Sequence, residues 1–136
     1  MEKILIIIGA AIFGYLGIAH LFFTFFTNKF EARDSSVTNA MKGTSPILTN
    51  ETSVWNAWIG FNASHSIGAL LVAGFYIPLA IWYFDVIQTS VWFSLLPVLI
   101  GLIYLTLAKK YWFKIPVIAI LISTICFITA AILIHM

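Results

Sequence analysis

Apolar residues in this chain gather into four long runs, near residues 4–27, 54–84, 89–108 and 112–135, separated by charged or turn-forming segments. At about 1.5 Å of rise per residue, each run is long enough to cross a hydrocarbon core about 30 Å thick. In lipid every backbone amide must be satisfied internally, so spans of this kind are helical unless they close a barrel. The pattern predicts an all-α fold: an integral membrane four-helix bundle, one domain over residues 1–136, with a long polar connection between helices 1 and 2.

The first run opens with Lys3, an apolar stretch and Gly17-Ile18-Ala19, which imitate a cleaved signal peptide. Leu21-Phe22-Phe23 and Phe25-Phe26 carry the hydrophobicity past that point, so a retained span is expected. The second run has no charge from Thr52 to Phe84, more than a straight crossing needs, and is expected to start in the interface and tilt or bend near Pro78. Trp55 and Trp58 suit headgroup depth at one end, as do Trp82 and Tyr83 at the other. A short turn is expected over residues 85–90, and Pro116 fits the first turn of the last helix. Within the polar connection, residues 28–53, helical spacing of Phe30, Val37, Ala40 and Met41 predicts a short surface helix, capped by Asp34 or Ser35 and stopped at Gly43. Such a segment can lid whatever the second helix presents.

Composition agrees with the pattern: 62% hydrophobic residues, 9% charged and a mean hydropathy of +1.04 exclude an ordinary soluble domain. The formal charge of +2 comes without a basic stripe, which argues against nucleic acid as a partner. Cys126 is the only cysteine and lies in an apolar run, so it is read as an inert buried thiol. The two connections that share one side carry Lys29, Arg33, Lys42, Lys109, Lys110 and Lys114, whereas Lys3 is the only basic residue near the termini. The positive-inside bias therefore places both connections in the cytoplasm and both termini outside. Asn50-Glu51-Thr52 and Asn62-Ala63-Ser64 match the short glycosylation pattern, but the second would lie within the membrane and neither is read as modified.

Most intramembrane polarity falls in Trp55-Asn56-Ala57-Trp58-Ile59-Gly60-Phe61-Asn62-Ala63-Ser64-His65-Ser66-Ile67-Gly68. At about 100° per residue, Trp55, Trp58, Asn62, His65, Ser66 and Ala69 share one broad face. Gly60, Ser64 and Gly68 form a separate small-xxx-small row, expected to pack on Gly14 and Gly17 of the first span. Together with His20, the segment resembles a family of small, uncharacterised bacterial membrane proteins with four predicted spans. That resemblance implies the architecture and a bacterial cytoplasmic (inner) membrane location, and supplies no reaction.

Polar groups inside a span are costly in lipid, which makes His20, Asn62 and His65 candidates for a site by default. Counting from the cytoplasmic ends puts the two imidazoles at one depth. They are expected to form a partly enclosed polar pocket for a small amphipathic or lipid-like ligand, with Thr24 and Ser66 beside them, Trp55 and Trp58 at its mouth and the 28–53 connection over it. The competing reading makes the same side chains interhelical hydrogen bonds in a structural or interaction protein. A third has the two imidazoles ligating haem or a transition metal, with a thin donor set that lacks any in-span carboxylate. Ser64 and Ser66 diverge from His65 by about 100°, which speaks against a serine hydrolase. No cofactor or catalytic residue is assigned, and the partners expected are the lipid bilayer, a lipid-like ligand and, as an open possibility, further copies of the chain.

Overall fold

The computed structural model describes residues 1–136 and is built of helices: α1 (Glu2–Phe26), α2 (Ser35–Gly43), α3 (Val54–Trp82), α4 (Phe84–Thr89), α5 (Val91–Tyr111) and α6 (Lys114–His135). Four of these, α1, α3, α5 and α6, are long and apolar enough to cross a membrane. Their outward faces carry large apolar side chains, among them Ile4, Ile18, Phe22, Leu71, Leu99 and Ile122, as contact with lipid tails requires.

The helix bounds follow local chemistry. Ser90 caps α5 by accepting from the Phe93 amide at 3.5 Å, and α5 runs on through Lys109, Lys110 and Tyr111, three residues past the apolar stretch, where the two lysines suit the negative end of the helix dipole. α3 continues through Pro78 to Trp82. The expected turn at residues 85–90 is instead largely the six-residue α4. Ile87, fully buried, anchors that helix, and the Thr89 hydroxyl donates to the Asp85 carbonyl at 2.7 Å. A buried apolar anchor on a short amphipathic turn outweighs the turn propensity of its polar neighbours.

The chain packs as two compact units, residues 1–16 with 69–136, and residues 17–68; α1 and α3 each contribute a segment to both. In the first unit the core is built from Ile6, Ala10, Phe13, Val72, Tyr76, Ile87, Ile120 and Phe127. Phe13 meets Tyr104 edge-on at 5.2 Å between centroids and lies 6.2 Å from Phe127. Gly9 permits a close approach: a Cβ there would fall 2.6 Å from Phe127 Cε1. The nearby Ser123 hydroxyl donates to the Gly9 carbonyl at 2.7 Å, a bond between α6 and α1 that is fully buried. Gly14 also packs tightly, a Cβ there coming 2.9 Å from that of Ala73.

This changes the expected seam. Gly14 meets Ala73, while a Cβ on Gly60 would meet nothing within 4 Å and Ser64 is exposed. The Ser64 hydroxyl turns back to the Gly60 and Phe61 carbonyls of its own turn, both at 3.0 Å. Small residues permit close packing but do not direct a helix face; the face of α3 turned inward here is the one that carries Asn62 and Ser66.

The second unit holds the end of α1, the connection with α2 inside it, and the start of α3. Asp34 caps α2, accepting from the Ser36 amide at 2.9 Å, so the helix starts at Ser35 and leaves Phe30 outside it. The inward side chain of α2 is Thr38, whose hydroxyl accepts from the Ala32 amide at 3.1 Å, whereas Val37 and Ala40 are exposed. The apolar spacing read from Phe30 to Met41 therefore does not describe one buried stripe.

Candidate functional site

The site grows from one amide. Asn62 is 7% exposed, and its Nδ2 donates to the Trp58 carbonyl one turn back at 2.8 Å. A carbonyl only accepts, so this bond fixes which end of the amide is nitrogen and aims Oδ1 at α1. There it lies 2.9 Å from His20 Nε2. Oδ1 cannot donate, so His20 Nε2 carries the proton, and in the neutral ring Nδ1 is the lone-pair nitrogen. The whole chain runs in one sense, from His20 N–H to Asn62 to the α3 backbone.

Two hydroxyls hold the adjoining turns. Thr24 Oγ1 donates to the His20 carbonyl and Ser66 Oγ to the Asn62 carbonyl, each at 2.8 Å and each buried. Such back-bonding satisfies a hydroxyl that lipid would leave bare, and the bifurcated carbonyl loosens the helix slightly at that turn. His65 lies beside His20, ring centroids 5.4 Å apart and planes at 60°, both half-buried. The two imidazoles, delivered by α1 and α3, thus form a pair in which Asn62 orients His20.

The connection reaches this pair through Phe30. Its ring lies 4.7 Å from His20 and 6.2 Å from Trp58, which it meets edge-on, and Trp58 Nε1 donates to the Phe30 carbonyl at 3.2 Å. Trp58 remains 42% exposed. Trp55 sits apart from the imidazoles' immediate contacts, its ring covered by Lys42 Nζ at 5.0 Å. So His20, Asn62, His65, Ser66, Thr24 and Trp58 form one connected set, and Trp55 stands at its margin beside α2.

The sequence pattern does not point to Phe30 as part of the site. Its contact depends on the chain reversing after Thr27, whose hydroxyl accepts from the Lys29 amide at 3.3 Å, and periodicity carries no such information. A second polar pair also escaped: Ser94 Oγ and His135 Nε2 are 2.8 Å apart in the other unit. Antiparallel third and fourth spans would have put the start of one level with the end of the other. Ser94 Oγ also lies 3.0 Å from the Val91 carbonyl, so its single proton is shared between that acceptor and the imidazole, and the direction of the pair follows the histidine tautomer.

As donors for a metal, His20 and His65 stand as a pair, and no third His, Cys, Asp or Glu gathers with others into a cluster. Ligation by His20 through Nε2 would require breaking its bond to Asn62. Compared with known protein families, characterised proteins and solved structures, the chain matches none.

Proposed function

We propose that this chain is a four-helix bundle of the bacterial cytoplasmic membrane, with the 28–53 and 109–114 connections inside, the termini outside, and His20, Asn62 and His65 at its functional centre. In this reading the imidazole pair holds the polar head of a small amphipathic or lipid-like molecule, and the apolar spans receive its tail. The observation that carries it is the side-by-side placement of two intramembrane imidazoles, one with its tautomer set by a buried amide. A bond whose only task is to join two helices needs one donor and one acceptor; a second histidine against the first adds intramembrane polarity that such a joint does not require. The Phe30 ring against His20, with Trp58 edge-on to it, favours a ligand with apolar character.

A second reading has its own observation: the His20–Asn62 bond links α1 to α3, and on that ground alone the cluster is structural. Extraction separates the two. Protein purified in mild detergent is extracted with organic solvent, and the released molecules are quantified by mass spectrometry for wild type, His20→Gln and His65→Gln. Glutamine keeps a donor and an acceptor, so both variants are expected to stay folded while the co-extracted amphiphile falls about tenfold, the loss of roughly one good hydrogen bond. Variants that carry the same molecules at wild-type levels would leave only the structural role. A Soret band or one metal ion per chain would replace the amphiphile with redox or metal chemistry.

A further inference from the structure

The polar connection carries an open surface groove of about 510 Å³. Three cationic side chains line it, Lys29, Arg33 and Lys42, with the Ser35 hydroxyl and Asn39 amide as neutral donors and Glu31 as the one carboxylate. The cations are not consumed by ion pairing: the ion pair the fold does form joins the amino terminus to Glu2. Lys29 Nζ rests 4.3 Å from the Phe23 ring centroid on α1, and Lys42 Nζ rests 5.0 Å from that of Trp55 on α3. Cations held on aromatic faces stay available to a stronger partner, because such contacts are weak at exposed sites. Those two rings belong to the ends of spans that border the connection, which sets the groove at headgroup depth.

We propose that this groove binds a phosphate group, as the headgroup of an anionic lipid or as a soluble phosphate compound. Three cationic residues around one groove match the spread negative charge of phosphate, and Arg33 adds a planar fork that can grip two of its oxygens. Neutral Ser35 and Asn39 complete a set of donors without adding charge. Glu31 tempers the site, so that binding stays reversible. The groove does not involve His20 or His65, and the proposal stands or falls apart from the reading of the imidazole pair.

The test titrates the full chain in neutral detergent with dioleoylphosphatidylglycerol, with dioleoylphosphatidylcholine as control, and follows bound lipid by native mass spectrometry. Phosphatidylglycerol is expected to bind at least about tenfold more tightly than phosphatidylcholine, and each of Lys29→Gln, Arg33→Gln and Lys42→Gln to weaken it about fivefold. Glu31→Gln is expected to tighten binding, a gain that mere disruption of α2 cannot produce. Equal binding of the two lipids, or a triple glutamine variant that binds phosphatidylglycerol like wild type, would overturn the proposal. Inorganic phosphate added to the loaded protein distinguishes the sources: displacement at millimolar concentration indicates a soluble phosphate compound, and resistance to it indicates a lipid held by its chains as well.

Discussion

Asn62 shows how much one buried side chain decides. Both ends of its amide are engaged, so its part is to orient His20 rather than to reach toward a ligand itself. Asn62→Ala removes the bond between α1 and α3 and is expected to lower stability in detergent by about 1 kcal/mol, the scale of an interhelical hydrogen bond in membrane proteins, as read by thermal unfolding. A change below the error of that measurement would show that the bond is idle. Asp34 makes a second prediction, in pH. The Ser36 hydroxyl and then the Ser36 amide hold its carboxylate below the ordinary aspartate value. A lowered folded-state value means that the cap's contribution is complete above the usual carboxylate range and is lost as pH falls through the lowered value. Hydrogen exchange of the α2 amides should therefore speed up in acid, beyond the intrinsic pH trend, in wild type but not in Asp34→Asn, which caps without titrating. Identical acid profiles would remove the carboxylate from the cap.

At the scale of helices, the decisive contacts are those of small residues, and here sequence and structure part company. Length and apolarity made the four long helices legible, with bounds that shifted by up to three residues where Ser90, Lys109 and Lys110 extend or cap them. The depth argument also paired His20 with His65, because counting along antiparallel helices needs only the rise per residue. Helix rotation was not legible. Gly60 and Gly14 are equally small, yet Gly14 is pressed against Ala73 and Gly60 stands open, a difference set by the larger partners around them. The same holds for Phe30, placed by a reversal of the chain, and for α4, placed by the burial of Ile87. The consequence is testable by thermal stability in detergent: Gly9→Leu and Gly14→Leu are expected to lower stability by about 1–3 kcal/mol through overpacking against Phe127 and Ala73, while Gly60→Leu is expected to be tolerated. A Gly60→Leu variant as damaged as the other two would show that α3 is turned differently.

For the whole molecule, four apolar helices with outward Ile, Leu and Phe define the setting, and three polar features interrupt it: the imidazole pair, the Ser94–His135 pair and the basic groove of the connection. The proposed topology puts residues 28–53 and 109–114 on one side, so single cysteines in both should react with the same membrane-impermeant reagent, in a background where Cys126 is replaced by Ala. Labelling from opposite sides would break the four-span arrangement. The proposed function can be read at the histidines themselves, since two of the three lie in the site and His135 lies with Ser94 in the other unit. The measurement is nitrogen-15 NMR of histidine-labelled protein in detergent, before and after exhaustive removal of co-purified amphiphiles. The expected result is a His20 ring protonated at Nε2, with His20 and His65 signals that shift on removal while those of His135 stay fixed. If all three histidines kept their signals while the extracted molecules were lost, or if His20 carried its proton on Nδ1, the imidazole pair would not be the place where the ligand is held.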